Sequence, residues 1–253
     1  TQRYAESWEF DGHLTRMGNG YTGQGAMSAW PKHLAADVTV KTGVQVQRAT
    51  RTGPHWELVD QLGEQHRADV LVLAIPAPQA ITLLGDGVPG VGEVLRAVRM
   101  APCWSTMVVF DGPPPVRITE QLVHGELQTS DDRVARCLRQ PAMPGRPTAE
   151  AWVVQSGTTW SRDHLERTAD DVCAEIVPLL RTHLAIAGEV QHAASHRWRY
   201  ARTETGADVT CLWDTGARLG ACGDFAHGFP QAASEVERAW LSGVAMAGRI
   251  LGG

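Results

Sequence analysis

The sequence lacks any apolar run long enough to cross a bilayer; its longest candidate, Val70 to Ile75, has the length of a core strand. It also lacks a strong charge bias, because the net charge of −5 over 253 residues comes without a polyacidic or polybasic tail. We therefore expect neither nucleic acid nor a membrane as a partner. Thr1 to Phe10 is polar and aromatic, so we expect no secretory signal there.

Paired cysteines and metal-binding motifs are absent as well. The five cysteines are scattered, no CxxC occurs, and the ten histidines include no HExxH. These absences predict neither a disulfide framework nor a metal site. Buried free thiols in a reducing compartment are the simpler interpretation, so we expect a cytoplasmic location. No Ser/His/Asp or Cys/His arrangement favours hydrolase chemistry.

What is present is a mixture of parallel-type and antiparallel-type strand patterns with helices. The run from Val70 to Ile75 fits a strand buried on both faces, as in a parallel sheet covered by helices. Alternation over Val38–Val46 and Trp56–Leu62 predicts a small antiparallel sheet. Ser161 is the predicted cap of the best amphipathic helix. The apolar face of that helix consists of Leu165, Ala169, Val172, Ile176 and Leu180. The pattern predicts an α/β (α+β) protein with a nucleotide-binding layer and an antiparallel substrate sheet.

The most specific feature lies near the C-terminus. The short strand in Gly220–Phe225 runs into Gly223-Asp224, and a helix with an acidic first turn begins at Glu235. A carboxylate and free helix N–H groups at one place suit a polar, partly anionic ligand. The helix has apolar residues at helical spacing, namely Val236, Trp240, Val244, Ala247 and Leu251. Its small residues, Gly243, Ala245 and Gly248, would let another backbone approach closely. The alternative interpretation is an ordinary packed terminal helix.

A glycine motif near the N-terminus is misleading. Gly18-Asn19-Gly20-Tyr21-Thr22-Gly23 matches G-x-G-x-x-G, but no buried strand precedes it and no acidic residue ends a second strand about 20 positions on. We interpret it as a flexible loop rather than a phosphate-binding turn.

An aromatic and basic cluster occupies His196 to Tyr200. On a strand, His196, Trp198 and Tyr200 share one face, and Arg197 and Arg199 share the other. The first face could stack on a planar heteroaromatic ring, and the second could pair with carboxylates or phosphates. The alternatives are an aromatic core strand with a solvated basic face, and a structural role for His196. Trp213 is a further aromatic candidate, for which a core position is the alternative.

Several segments in the same order resemble the renalase-like members of the FAD-dependent, amine-oxidase-like flavoproteins. They are Gly23–Ser28 with Lys32–Asp37, Asp69–Ala80 with its Pro76-Ala77-Pro78-Gln79, Ala101–Trp104, Trp160–Glu166, His196–Ala201, Leu212–Asp214 and the Gly223-Asp224 segment. The resemblance covers nearly the whole chain.

The resemblance implies FAD bound between an FAD-binding domain (1–90 and 206–253) and a substrate domain (91–205). The cofactor-binding residues that it implies are Val44, Val46, Pro76, Gly223, Asp224, Val236 and Glu237. His196, Trp198 and Trp213 would line the substrate face as the catalytic residues. The implied reaction is oxidation of a dihydronicotinamide-type or related small substrate by hydride transfer to flavin, with oxygen as acceptor and peroxide as product. The expected partner is a small molecule, either a dihydronicotinamide dinucleotide or an amine.

The sequence also departs from that family. Gly25-Ala26-Met27 replaces Pro-Gly-Met, and Phe225–Glu235 lengthens a short glycine turn. The first βαβ unit, which carries the glycine fingerprint, has no counterpart here. We therefore expect an incomplete FAD-binding domain with a partial Rossmann-like layer, completed by a partner chain or an N-terminal fragment. A flavin-free remnant acting as a binding or scaffold module, and a flavin amine oxidase, are the alternatives.

Overall fold

The computed structural model describes residues 14–17, 20–85, 88–232 and 234–252. The strands are β1 (Leu14–Met17), β2 (Gly20–Gly23), β3 (Val46–Thr52), β4 (His55–Asp60), β5 (Gln65–Ala68), β6 (Leu71–Leu73), β7 (Arg99–Phe110), β8 (Glu126–Gln128), β9 (Arg136–Arg139), β10 (Glu150–Gln155), β11 (Val190–Thr205), β12 (Leu212–Asp214) and β13 (Leu219–Ala221). The helices are α1 (Ala29–Leu34), α2 (Ala77–Leu84), α3 (Pro89–Ala97), α4 (Val116–Thr119), α5 (Thr158–Asp163), α6 (Ala169–Leu184) and α7 (Glu235–Leu251). The fold is α+β, as the sequence predicts.

The chain forms two compact units. The first comprises Val40–Ala101 and Arg202–Gly253; the second comprises Pro102–Ala201 and the described residues up to Thr39. The described part of the N-terminal segment therefore groups with the antiparallel sheet of the second unit, whereas the sequence assigns residues 1–90 to the FAD-binding domain. The functions of the two units remain predictions.

The first unit contains two small sheets. In one, β13 pairs with β12 antiparallel and with β6 parallel, in the order β12-β13-β6. In the other, β3, β4 and β5 form an antiparallel meander. The buried indole of Trp56 donates from Nε1 to the carbonyl of Ala217, 2.9 Å away, which joins the meander to the β12–β13 turn.

The second unit is built on the sheet β11-β7-β10-β9-β8. Helix α6 covers its core with buried residues at helical spacing, which are Val172, Ile176, Leu180 and Leu184. The predicted apolar face is therefore confirmed over three of its members, but the predicted cap at Ser161 is wrong. Thr168 caps α6 by accepting from the N–H of Asp171 at 3.1 Å, and Ser161 lies in α5.

Two strand predictions need correction. Residues 38–45 are not a strand: β3 begins at Val46, and Gly43 has a positive φ of 71° that interrupts extended backbone. β6 pairs parallel with β13 as predicted, but it is not buried on both faces, since Val72 is 38% exposed.

No helix within the described ranges is long and apolar enough to span a membrane.

The glycine motif lies partly outside the described residues, at Gly18 and Asn19. Its last four residues, Gly20–Gly23, form β2 and pair antiparallel with β1, so the interpretation as a flexible loop is wrong for them. A dinucleotide-binding loop would instead open a helix at this point.

Candidate functional site

The parallel pair β6–β13 brings the two most specific sequence features to one edge of a sheet. In its register, Leu73 lies beside Ala221, so both strands end at the same level. Pro76 follows β6 as the residue preceding α2, and Gly223-Asp224, which we name the Gly-Asp turn, follows β13. The carboxyl edge of parallel strands is where open α/β sheets bind their ligands.

Hydrogen bonds from separate elements fix the Gly-Asp turn. The N–H of Gly223 donates to Oγ of Ser242, a fully buried residue of α7, at 3.2 Å. The N–H of Thr203 on β11 donates to Oδ2 of Asp224 at 3.0 Å. The N–H of Cys222 donates to the carbonyl of Leu73 at 3.1 Å. The position of the half-buried Asp224 carboxylate is therefore set by protein contacts.

The segment after the Gly-Asp turn is anchored as well. The N–H of Ala207 donates to the carbonyl of Phe225 at 2.8 Å, and the N–H of Gly228 donates to the carbonyl of Val209 at 3.0 Å. A side chain at Gly206 would collide with the Phe225 carbonyl oxygen, so this contact requires glycine. The lengthened stretch that distinguishes this chain is thus held against residues 206–209.

The start of α7 differs from the expected ligand-facing turn. Ser234 caps the helix through Oγ, which accepts from the N–H of Glu237 at 3.1 Å. The N–H of Arg238 donates to the carbonyl of Ser234 at 3.0 Å. The N–H of Glu237, a residue that the resemblance assigns to the cofactor, therefore has a partner inside the helix. The side chain of Val236 is 55% exposed.

Helix α7 packs through a face that the sequence did not predict. The predicted apolar face is largely exposed, since Val244 is 50% and Leu251 86% accessible. The buried residues are Ser242 and Met246. Met246 packs against Gly220 so closely that a Cβ on Gly220 would lie 2.5 Å from Sδ of Met246.

The close approach predicted at the small residues of α7 is also absent. A Cβ at Gly243 or Gly248 would meet nothing within 4 Å. Close packing occurs at Gly220 instead, because the buried side chain of Met246 lies over the strand at that position. The four-residue spacing of Ser242 and Met246 could have revealed the packed face, but it competes with a more apolar stripe on the same helix.

Val44 and Val46 lie in the first unit, at the entry to the meander. Val44 precedes β3 and is 38% exposed, and Val46 is the half-buried first residue of β3. All seven predicted cofactor residues therefore belong to one unit. Their contact with a cofactor stays a prediction.

Trp213, in the first unit, lines a cavity of about 340 Å³. The cavity is lined by Gly90, Val91, Leu212, Trp213, Asp214 and Thr215. The N–H of Ala217 donates to Oδ1 of Asp214 at 2.7 Å and closes the β12–β13 hairpin turn. The Gly-Asp turn lies outside this lining, so Trp213 and Asp224 do not share this cavity.

His196 and Trp198 lie in the second unit, side by side on β11. Their rings meet edge to face, with centroids 4.6 Å apart and planes inclined by 68°. Trp198 is 54% exposed and His196 is exposed, so the interpretation as an aromatic core strand is wrong. An exposed indole supported by an imidazole offers a surface on which a planar ring can stack.

The opposite face of β11 carries the two arginines, as predicted, and both contact Glu166. Arg199 donates from Nη1 to Oε1 at 2.7 Å and Arg197 from Nη1 to Oε2 at 3.1 Å. The hydrogen bond from Arg199 lowers the pKa of Glu166. The guanidinium of Arg197 also lies 5.9 Å from the ring centre of Trp104. A carboxylate of the protein itself therefore occupies the basic face.

A carboxylate and imidazole cluster closes the β4–β5 hairpin. Ligand atoms of Asp60, Glu64 and His66 lie within 4.8 Å of one another. Oδ1 of Asp60 accepts from the N–H groups of Leu62 and Glu64, and Oδ2 lies 3.0 Å from Nε2 of His66. The hydrogen bond to His66 lowers the pKa of Asp60. These hydrogen bonds give the cluster a structural role, which is to stabilise the β4–β5 hairpin.

Comparison with known proteins identifies the sequence family of the chain and solved structures with a similar fold. The sequence model described as flavin containing amine oxidoreductase matches residues 3–251. A candidate protoporphyrinogen oxidase from Exiguobacterium sp. 255-15 has a similar structure, with a TM-score of 0.63 at 13% identity over 92% of this chain and 52% of that one. A double mutant of putrescine oxidase, made to redesign cofactor binding, gives a TM-score of 0.55 at 13% identity over 86% of this chain and 51% of that one. The chain thus spans about half the length of these solved structures.

Proposed function

The chain belongs to the flavin-containing amine oxidoreductase family, and from that premise we propose that it is an FAD-dependent oxidoreductase of the renalase-like kind. Its proposed substrate is a dihydronicotinamide-type or related small molecule, which gives a hydride to the flavin while oxygen serves as the final acceptor. When bound, FAD supplies the hydride acceptor and the route of electrons to oxygen, with peroxide as product.

The observation that carries this proposal is the shared carboxyl edge of β6 and β13. Pro76 and the Gly-Asp turn lie at that edge, and α7 follows in the chain. This arrangement fits the sugar and pyrimidine end of a flavin, because the site offers an oriented carboxylate and backbone groups rather than a mobile loop. Oδ2 of Asp224 holds Thr203, and the proposal assigns Oδ1 to a ribityl hydroxyl.

The first turn of α7 has a narrower role than the sequence suggests. Since the N–H groups of Glu237 and Arg238 are bonded to Ser234, the proposal assigns those of Glu235 and Val236 to the cofactor. The positive end of the helix dipole would favour electron-rich oxygen or nitrogen at the pyrimidine edge. The acidic side chains of Glu235 and Glu237 oppose that effect in part.

His196 and Trp198 are the proposed substrate-facing pair. The exposed indole can stack on a dihydronicotinamide ring, and the edge contact of His196 limits rotation of the indole. Hydride donation by such a ring needs orientation more than proton transfer. An aromatic surface with few titratable groups is therefore sufficient for this reaction.

Amine oxidation is the second candidate function, and the family description is compatible with it. Here a primary or secondary amine would be the hydride donor to the same flavin. A third role, as a flavin-free binding module, follows if the chain holds no cofactor. We also propose that a partner chain or an N-terminal fragment completes the nucleotide site beside β6.

One experiment separates these functions. The purified chain is mixed with FAD and passed through gel filtration, and a retained flavin absorption band supports the cofactor assignment. The loaded protein is then made anaerobic and mixed separately with dihydronicotinamide isomers and with amines. Bleaching by the former supports the renalase-like reaction, and bleaching by amines alone supports amine oxidation. Loss of flavin on the column contradicts the oxidoreductase proposal for the chain alone.

A further inference from the structure

Cys211 and Cys222 lie directly opposite each other at the end of the β12–β13 pair. In that antiparallel register Leu212 faces Ala221 and Trp213 faces Gly220, so the next position outward places Cys211 across from Cys222. Opposed residues of an antiparallel pair point to the same side of the sheet. The two thiols are therefore neighbours on one face, although they are separated along the chain by the whole hairpin.

The hydrogen-bond pattern of the strands indicates a short Cα–Cα distance between Cys211 and Cys222. The N–H of Cys222 donates to the carbonyl of Leu73 on β6, at 3.1 Å, and so points away from β12. Cys211 and Cys222 therefore form a non-hydrogen-bonded pair, in which opposed Cα atoms lie about 4.5 Å apart rather than about 5.5 Å. Disulfides join Cα atoms that are about 4.4 to 6.8 Å apart, so the backbone can accept one here with little movement.

The two thiols differ in exposure. Cys222 is 8% exposed and Cys211 is half-buried, so a small oxidant reaches Cys211 first. Burial raises the pKa of the Cys222 thiol, and the charge of Cys211 raises it further. This coupling agrees with the proximity that the register gives. An accessible thiol beside a sheltered one is the arrangement of an attacking and a resolving cysteine.

We propose that Cys211 and Cys222 are a peroxide-sensitive pair that closes reversibly into a cross-strand disulfide next to the Gly-Asp turn. The Cys211 thiolate attacks hydrogen peroxide: an S–O bond forms, the O–O bond breaks, and hydroxide leaves. The sulfur of Cys222 then displaces hydroxide from the sulfenic acid, so an S–S bond forms and an S–O bond breaks. The first hydroxide takes up the proton that Cys211 lost and becomes one water, and the Cys222 proton leaves with the second hydroxide as the other water. Two thiols are oxidised and one peroxide is reduced to two waters.

The proposal does not depend on the flavin activity, because peroxide can be added directly. It is compatible with a reducing compartment, since small thiols would reopen the bond between oxidising episodes. The pair is not evident in the sequence, because the two cysteines show no CxxC spacing and become opposed only when the hairpin forms.

Peptide mapping tests the proposal on the full chain. After treatment with hydrogen peroxide, remaining thiols are alkylated under denaturing conditions and the protein is digested with trypsin without reduction. Cleavage at Arg202, Arg218 and Arg238 separates the two cysteines into peptides 203–218 and 219–238. The expected result is one linked species, lighter than the sum of its parts by two hydrogens, which dithiothreitol divides.

Variants and a second readout complete the test. Cys211→Ser abolishes the linked species, whereas Cys173→Ser, at a half-buried thiol on α6, leaves it. Oxidation raises the Tm of the wild type and of Cys173→Ser, but not that of Cys211→Ser. Recovery of Cys211 as sulfinic acid with Cys222 alkylated overturns the proposal, and so does a link from either cysteine to another thiol.

Discussion

Asp224 accepts a hydrogen bond from the backbone N–H of Thr203, which lies 3.0 Å from its Oδ2. The carboxylate that follows β13 is thereby tied to the end of β11. Asp224 therefore has a structural role in addition to its proposed role in binding FAD. Substitutions can separate the two roles.

Asp224→Asn keeps an oxygen for Thr203 but loses the charge, whereas Asp224→Ala loses both. We expect Asp224→Ala to lower the free energy of unfolding by about 1–2 kcal/mol, because the buried Thr203 N–H loses its acceptor. Asp224→Asn should cost less than half of that. Both should weaken FAD binding on the order of tenfold, which corresponds to one charge-assisted hydrogen bond. Urea unfolding and FAD titration measure the two effects. Wild-type FAD affinity in Asp224→Asn would show that the charge is not used.

Gly220 and Met246 should be coupled. Gly220→Ala places a Cβ only 2.5 Å from Sδ of Met246, so we expect a loss of about 1–3 kcal/mol in unfolding free energy. Met246→Ala alone should cost about 2–5 kcal/mol through the cavity that it leaves. The double variant should cost less than the sum, since the truncated side chain makes room for the new methyl group.

Gly243→Ala is the matched control for that pair. Its Cβ meets nothing within 4 Å, and the residue lies inside α7. We expect a gain of about 0.5–1 kcal/mol from the better helix former. Thermal or urea unfolding of the wild type and the four variants gives the comparison. Strict additivity of Gly220→Ala and Met246→Ala would contradict the packing described here.

Trp198 should matter for turnover and little for folding. Since the side chain is 54% exposed, Trp198→Ala should change the unfolding free energy by no more than about 0.5 kcal/mol. We expect its kcat/KM with a dihydronicotinamide donor to fall at least about tenfold, equivalent to the loss of one stacking contact. Val116→Ala, at an apolar side chain that is 70% exposed, serves as the control. An unchanged kcat/KM in Trp198→Ala would place the substrate elsewhere.

The open edge of β6 predicts association. Within the described ranges β6 pairs with β13 alone, and Val72 on it is 38% exposed. Such edges recruit further strands, so we expect the isolated chain to self-associate or to bind a complementary segment. Val72→Lys should shift sedimentation towards monomer, and Val116→Lys should not. A stable wild-type monomer without ligand would contradict this expectation.

Acid should weaken the structure around Asp131. The hydrogen bond from Arg133 is the main reason that the pKa of Asp131 falls to about 2, and the N–H of Arg133 adds to it. Because the folded-state pKa is depressed, this stabilisation is present above about pH 4 and is lost as the pH falls through about 2. We expect a loss on the order of 1 kcal/mol, since the pair is partly solvated.

Unfolding monitored from pH 5 to pH 2 tests that prediction. Asp131→Asn should remove this part of the pH dependence. Arg133→Gln should move it to higher pH, because the carboxylate loses its main partner. Identical pH profiles in the wild type and Asp131→Asn would show that the pair does not contribute to acid stability.

Local sequence patterns predicted helices and strands better than they predicted the tertiary contacts of those elements. The apolar face of α6 and the two faces of β11 follow from short-range periodicity, and the strand within Val70–Ile75, observed at Leu71–Leu73, follows from a short apolar run. The packed face of α7 does not, because a serine and a methionine are buried there while Val244 faces outward. The bond between Asp224 and Thr203 joins residues 21 positions apart, and only the folded topology brings them together.

The hydrogen bonds that hold Gly223 and Asp224 have a further consequence for recognition. The backbone there is already restrained by α7, β11 and β6 before any ligand arrives. A molecule that docks against it would lose little chain entropy on the protein side, so its affinity would reflect the quality of its contacts. Rigid analogues of the natural ligand should therefore gain more from matching the geometry than from flexibility.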